Sequence, residues 1–188
     1  TSELAKGFLQ LMNYEIYQKQ VIKREISLMS QNAKKISSDV GKGHINVIDI
    51  YCGDGTKAIE FIKMLSADAK ITYCPVNANS YLTDLAVKNV KSQDLKNVVD
   101  YRPVVCDCSN DLDLNIALDR LNEKANNKNV ILLLGSVLAS YEINSYLFEL
   151  SRDMKKTDYL VIGNGIRSGE RLVELEKYKD KHFDQWFM

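Results

Sequence analysis

No apolar run in this chain approaches the ~20 residues that a bilayer-spanning helix requires, and no signal-peptide pattern opens it. An excess of one charge is lacking too. Lys and Arg number 25 and Asp and Glu number 25, so nothing points to a surface that steers nucleic acid by net charge. There is no internal repeat and no low-complexity tract, and the short N-N-K-N at 126–129 reads as a loop. The four cysteines, Cys52, Cys74, Cys106 and Cys108, include no C-x-x-C pair. A chain of 188 residues builds enough core to fold without a disulfide framework, so the expected state is reduced and the expected compartment cytoplasmic. Thr1 in place of an initiator Met suggests a fragment or a trimmed chain.

What is present describes one ordinary globular domain over 1–188. Apolar residues at 45% and charged residues at 27% exclude a disordered or fibrous chain. An N-terminal helical region is expected over about Ser2–Ser37, because Ile22, Ile26, Met29, Ala33 and Ile36 recur at steps of three and four and line one face. Residues 38–43, S-D-V-G-K-G, read as a loop.

From there strands and helices alternate over an α/β core at 45–183. Strands are expected at Ile45–Tyr51, Lys70–Val76, Val98–Val105, Val130–Leu134 and Tyr159–Gly163. Helices are expected at Thr56–Leu65, Ser80–Val90, Leu112–Asn126, Ile143–Met154 and Gly169–Lys179. This order implies an α/β fold with a doubly wound, mostly parallel sheet. V-I-L-L-L at 130–134 is apolar throughout, as suits a central strand covered on both faces.

In such sheets the ligand binds beyond the carboxyl ends of the strands, beside strand 1. The segment after strand 1, Cys52-Gly53-Asp54-Gly55, joins an acidic strand end (Asp49) to a helix start, the order used for nucleotide-type cofactors. Gly53 and Gly55 lack a Cβ and can let backbone approach a ligand. The helix N-terminus and Lys57 offer positive charge to a carboxylate or phosphate; the same residues also suit a tight turn with no ligand.

About 20 residues beyond the glycines, where a ribose site wants an acid, stands Asn77, which equally suits a turn. Asp107 follows strand 3, where a carboxylate can meet an adenine amino group. Gly135 and Ser136 open the loop after strand 4. Ser136, Ser140, Tyr141 and Asn164 are candidates on the acceptor side, with no base among them. Tyr51 opens the turn, where a bulky residue can require an uncomfortable backbone angle, and its ring points either into the pocket or into the core. Four thiolates near neighbouring strand ends can ligate zinc or an iron–sulfur cluster, but without a C-x-x-C pair they read as small buried apolar residues, and no metal is expected. His44 and His182 fall outside the ligand edge.

Several stretches taken together resemble the histidine-specific, S-adenosylmethionine-dependent methyltransferase family. They are V-I-D-I-Y-C-G-D-G-T-K (47–57), Y-C-P-V-N-A-N-S (73–80), L-L-L-G-S-V-L-A-S-Y (132–141), D-Y-L-V-I-G-N-G-I-R (158–167) and Y-K-D (178–180). The resemblance implies a Rossmann-like class I methyltransferase with N-terminal helices, S-adenosylmethionine as cofactor and a small-molecule acceptor. Carried over by position, Gly53, Gly55, Lys57 and Asp107 match the family's cofactor contacts. Tyr51 stands where the family has its first glycine, Asn77 where it has the ribose acid, and Asn164 where it has an acid. Ala139-Ser140 stands where it has Gly-Asn, and the chain is expected to be truncated relative to the family.

Two readings follow. One is a methyltransferase acting on a small molecule, an amino-acid amine included. The other is a degenerate methyltransferase-like domain that binds or scaffolds. A nicotinamide-dependent oxidoreductase fits less well, since Gly53, Gly55 and Ala58 only approximate G-x-G-x-x-G.

Overall fold

A computed structural model describes residues 2–109 and 127–165 of the chain. The helices expected at 112–126 and 169–179, and His182, lie outside those residues.

The N-terminal region is helical, as its periodicity implies. Helix α1 (Ser2–Asn13) leads into α2 (Glu15–Tyr17), a π-helical turn (Gln18–Ile22), α3 (Lys23–Gln31) and α4 (Ala33–Val40). Ile22 and Met29 are buried, and Ile26 and Ile36 pack on the core. The helix takes in the first three residues of the expected loop because Val40, four residues after Ile36, is itself buried. It stops at Gly41, whose φ of 74° reverses the chain.

Six strands form one sheet: β1 (His44–Ile50), β2 (Lys70–Asn77), β3 (Val98–Tyr101), β4 (Val104–Val105), β5 (Lys128–Leu133) and β6 (Tyr159–Ile162). Their order is β3-β2-β1-β5-β6, with β4 also pairing β2, and every pairing is parallel. The chain moves outward from β1 through β2 to β3 and then returns to β1's other side with β5. The topological switch therefore lies between β1 and β5, where Asp49 pairs in register with Leu132 and Ile50 with Leu133. The expected single third strand is broken at Arg102-Pro103, because proline has no N–H to give a neighbouring strand.

Helices α5 (Thr56–Met64), α6 (Ser80–Ser92) and α7 (Ile143–Arg152) connect the strands. Residues on β1 alternate between two cores. Ile45 and Val47 join Ile62, Tyr73 and Met29 on one face, and Ile48 and Ile50 join Val76, Leu133 and Leu150 of α7 on the other. Burial of each such side chain is worth about 1.5–3 kcal/mol. Among the described residues no helix is long and apolar enough to cross a membrane.

Candidate functional site

The turn after β1 holds three residues in left-handed backbone: Tyr51 (φ 56°), Gly53 (φ 56°) and Gly55 (φ 81°). The conformation costs a residue with a Cβ roughly 1–2 kcal/mol, so the two glycines are local necessities and Tyr51 carries a strain. The space the glycines leave is filled by protein. A Cβ on Gly55 would stand 3.2 Å from backbone atoms of Ala86 in α6, and one on Gly53 would stand 3.2 Å from Phe8 and from the Met12 sulfur in α1. The missing side chains thus allow α1 and α6 to pack closely against the turn. Asp54 serves the same turn: its Oδ1 accepts from Thr56 N at 3.0 Å, and its carbonyl accepts from Asn89 Nδ2 at 2.9 Å.

Lys57, in the first turn of α5, is paired. Its Nζ lies 3.0 Å from Glu25 Oε2, and the other oxygen of Glu25 accepts the Gly135 N–H at 2.7 Å. Helix α3, helix α5 and the loop after β5 thus converge on one carboxylate at the switch point. Burial, and then the charge of Glu25, raise the pKa of the nearby Tyr17 phenol. Beneath the turn, Asp49 is buried and accepts from the Tyr73 hydroxyl at 2.9 Å. Burial pushes its pKa up to about 6, against the opposing effects of that hydrogen bond and of Lys57.

A second group is aromatic. The Tyr51 ring turns toward the loop after β5, where its hydroxyl shares a hydrogen bond with the Tyr141 hydroxyl. Tyr141 in turn stacks on Tyr146 of α7, with centroids 4.6 Å apart. Burial raises the pKa of both Tyr51 and Tyr141, and both phenols stay protonated at neutral pH.

The remaining expected residues fall on two sides of the switch. Ser136 (φ 60°) donates its N–H to Gly163 O at 2.9 Å, and its Oγ accepts from Gly165 N at 3.2 Å, so it brackets the exposed Asn164. Ser140 ends the 3-10 turn Val137–Ser140 just before Tyr141. On the other side, Asn77 ends β2 and its Oδ1 accepts from Asn79 N at 2.9 Å, the turn role its residue type also suits. Asp107 is exposed, and its carboxylate accepts from Ser109 N and Oγ, which lower its pKa. Contacts therefore link Lys57 to Gly135 through Glu25 and Tyr51 to Tyr141, while Asn77 and Asp107 close turns of their own.

None of the four cysteines forms a disulfide. Cys74 lies within β2, and Cys106 and Cys108 approach to 4.0 Å between sulfurs. Among the described residues no group of three or more His, Cys, Asp and Glu side chains is placed to hold a metal ion. His44 is exposed at the start of β1, at the opposite end of the strand from the glycine turn.

Sequence reasoning missed Glu25, Tyr17, Phe8 and Met12. A signal for Glu25 existed: it falls three residues after Ile22 and four before Met29, on the buried face of its helix. A carboxylate on an apolar stripe calls for a partner.

The family model described as histidine-specific, S-adenosylmethionine-dependent methyltransferase matches residues 6–182. No curated protein matches the chain.

Proposed function

The chain belongs to the histidine-specific, S-adenosylmethionine-dependent methyltransferase family, and on that premise we propose that it methylates a small molecule carrying an amine of amino-acid type. The observation that carries this reading is the meeting, at the switch between β1 and β5, of the glycine turn, the Lys57 cation and the Gly135–Ser136 loop. In this reading residues 1–188 act as a single cofactor-binding domain. The residues present fit the cofactor as follows. Turn residues 51–55 with Lys57, Gly135 and Ser136 face its methionine end. Asn77 and Asp107, at the ends of β2 and β4, face its ribose and adenine.

Bound S-adenosylmethionine supplies a methyl group already activated by its sulfonium. The work left to the chain is to align the acceptor and exclude water. Ser140, Tyr141 and Asn164 stand on the acceptor side. Tyr51 and Tyr141 are protonated, so they position by hydrogen bonding and do not remove the acceptor's proton. The acceptor amine enters unprotonated and releases its proton to solvent after transfer.

The second reading, a degenerate binding or scaffold domain, draws on Phe8 and Met12 packed against Gly53 and on an amide at Asn77 in place of an acid. Calorimetric titration with S-adenosylmethionine and S-adenosylhomocysteine decides between them. Micromolar binding by the unmodified chain supports the enzyme. Binding only after Tyr51→Gly marks Tyr51 as the block, and binding by neither form supports the scaffold.

A further inference from the structure

Glu25 is a part-buried carboxylate that methyl transfer does not require, and it stands where the methionine end of the cofactor is proposed to lie. Its side chain is 13% exposed and that of Lys57 16%, so both charges are largely withdrawn from water. Two glycines in separate loops leave room for the pair. A Cβ on Gly135 would stand 2.6 Å from Lys57 Nζ, and one on Gly163 would collide with the Glu25 carboxylate. A buried ion pair is a poor way to fasten a helix, because apolar residues of similar size hold as well or better. Its retention at the ligand edge therefore calls for a charged partner.

Resting on the methyltransferase reading, we propose that Glu25 and Lys57 together form the subsite for the cofactor's α-amino-acid group, with Lys57 facing its carboxylate and Glu25 receiving its ammonium. Lys57 alone would favour any anion. Paired with Glu25 and the Gly135 N–H, it presents a neutral dipole matched to a zwitterion, and a lone anion must displace Glu25 to bind. Glu25 thereby reads the cofactor's identity from outside the glycine turn, on a helix far from it in sequence.

Three probes test this by calorimetry on the full chain. S-adenosylhomocysteine carries both charges, decarboxylated S-adenosylmethionine keeps only the ammonium of the amino-acid group, and 5′-methylthioadenosine lacks the group altogether. The unmodified chain is expected to bind S-adenosylhomocysteine at least ~10-fold more tightly than methylthioadenosine. Glu25→Gln is expected to weaken the decarboxylated probe most and to narrow that preference without abolishing it, since Lys57 still attracts the carboxylate. Lys57→Gln is expected to weaken S-adenosylhomocysteine alone, and methylthioadenosine affinity stays level in both variants. Should Glu25→Gln fail to fold, Glu25→Asp keeps the charge but shortens its reach, and the decarboxylated probe is again expected to weaken most. Equal weakening of all three probes, or of none, by the Glu25 substitution overturns the proposal. Equal affinity of the unmodified chain for S-adenosylhomocysteine and methylthioadenosine overturns it while leaving cofactor binding intact. Binding of none of the three removes the methyltransferase reading and the proposal together.

Discussion

The Tyr51 hydroxyl, at the end of β1, meets the Tyr141 hydroxyl, in the loop after β5, so one hydrogen bond spans the point where the strand order reverses. The bond holds Tyr51 in a backbone conformation that tyrosine adopts at a cost. Tyr51→Phe and Tyr141→Phe should each lower stability by about 1 kcal/mol, and the double substitution by little more than either alone. Urea unfolding of the four forms measures the coupling. Strict additivity would show that the two hydroxyls act independently.

Asp49 makes stability depend on pH in an unusual direction for a carboxylate. Its folded pKa of about 6 lies above the ordinary 3.8, so between these values the folded chain holds the proton more tightly than the unfolded chain. The contribution of this group therefore falls as pH rises through the window, and the full cost is present above about pH 6. Asp49→Asn keeps an acceptor for the Tyr73 hydroxyl and removes the titration. It should stabilise by on the order of 3 kcal/mol at pH 8 and by little at pH 4. Thermal melts of both forms across that range test the slope.

Gly55 and Gly43 separate backbone strain from crowding. Both have positive φ, but a Cβ on Gly43 would meet nothing within 4 Å, whereas one on Gly55 would press on Ala86. Gly43→Ala should cost about 1–2 kcal/mol. Gly55→Ala should cost that amount and roughly 1–3 kcal/mol more. Equal urea midpoints for the two variants would show that α6 yields at no cost.

Asp158, just before β6, accepts from Asn129 N, Asn129 Nδ2 and Lys155 N, each at 2.9 Å. Asn129 is buried, so Asp158→Ala leaves its donors without that partner. A loss of about 3 kcal/mol is expected, seen as a drop in Tm of roughly 6–12 °C. Asp158→Asn, which keeps one acceptor, should fall between.

The alternation of strands and helices, the glycine turn and the switch point beside β1 were legible because each is written locally. A β-branched run leads to two glycines, and an all-apolar run marks a central strand. Pro103 was legible too, yet the apolar residues on either side masked the break it imposes. Tyr51 illustrates the limit. Its place in the turn followed from the sequence, but the direction of its ring depends on Tyr141, 90 residues away. The partners of Glu25 lay beyond reach for the same reason. Its helix pattern shows which face is buried, and nothing local says that this face docks above the carboxyl ends of β1 and β5. The missing Cβ atoms of Gly53 and Gly55 were legible too, but not that Phe8, Met12 and Ala86 occupy the space where those atoms would stand.

The bond between Glu25 and the Gly135 N–H closes a loop of 110 residues. A ribosome adding roughly 5–20 residues per second needs about 5–20 s to make that stretch. During that interval the N-terminal helices have emerged while the strand that anchors them is still unmade, and Glu25 and Lys57 remain open to water. The growing chain thus passes through a period in which helices α1 to α4 have no finished sheet to cover, the stage at which a chaperone would find the most to hold.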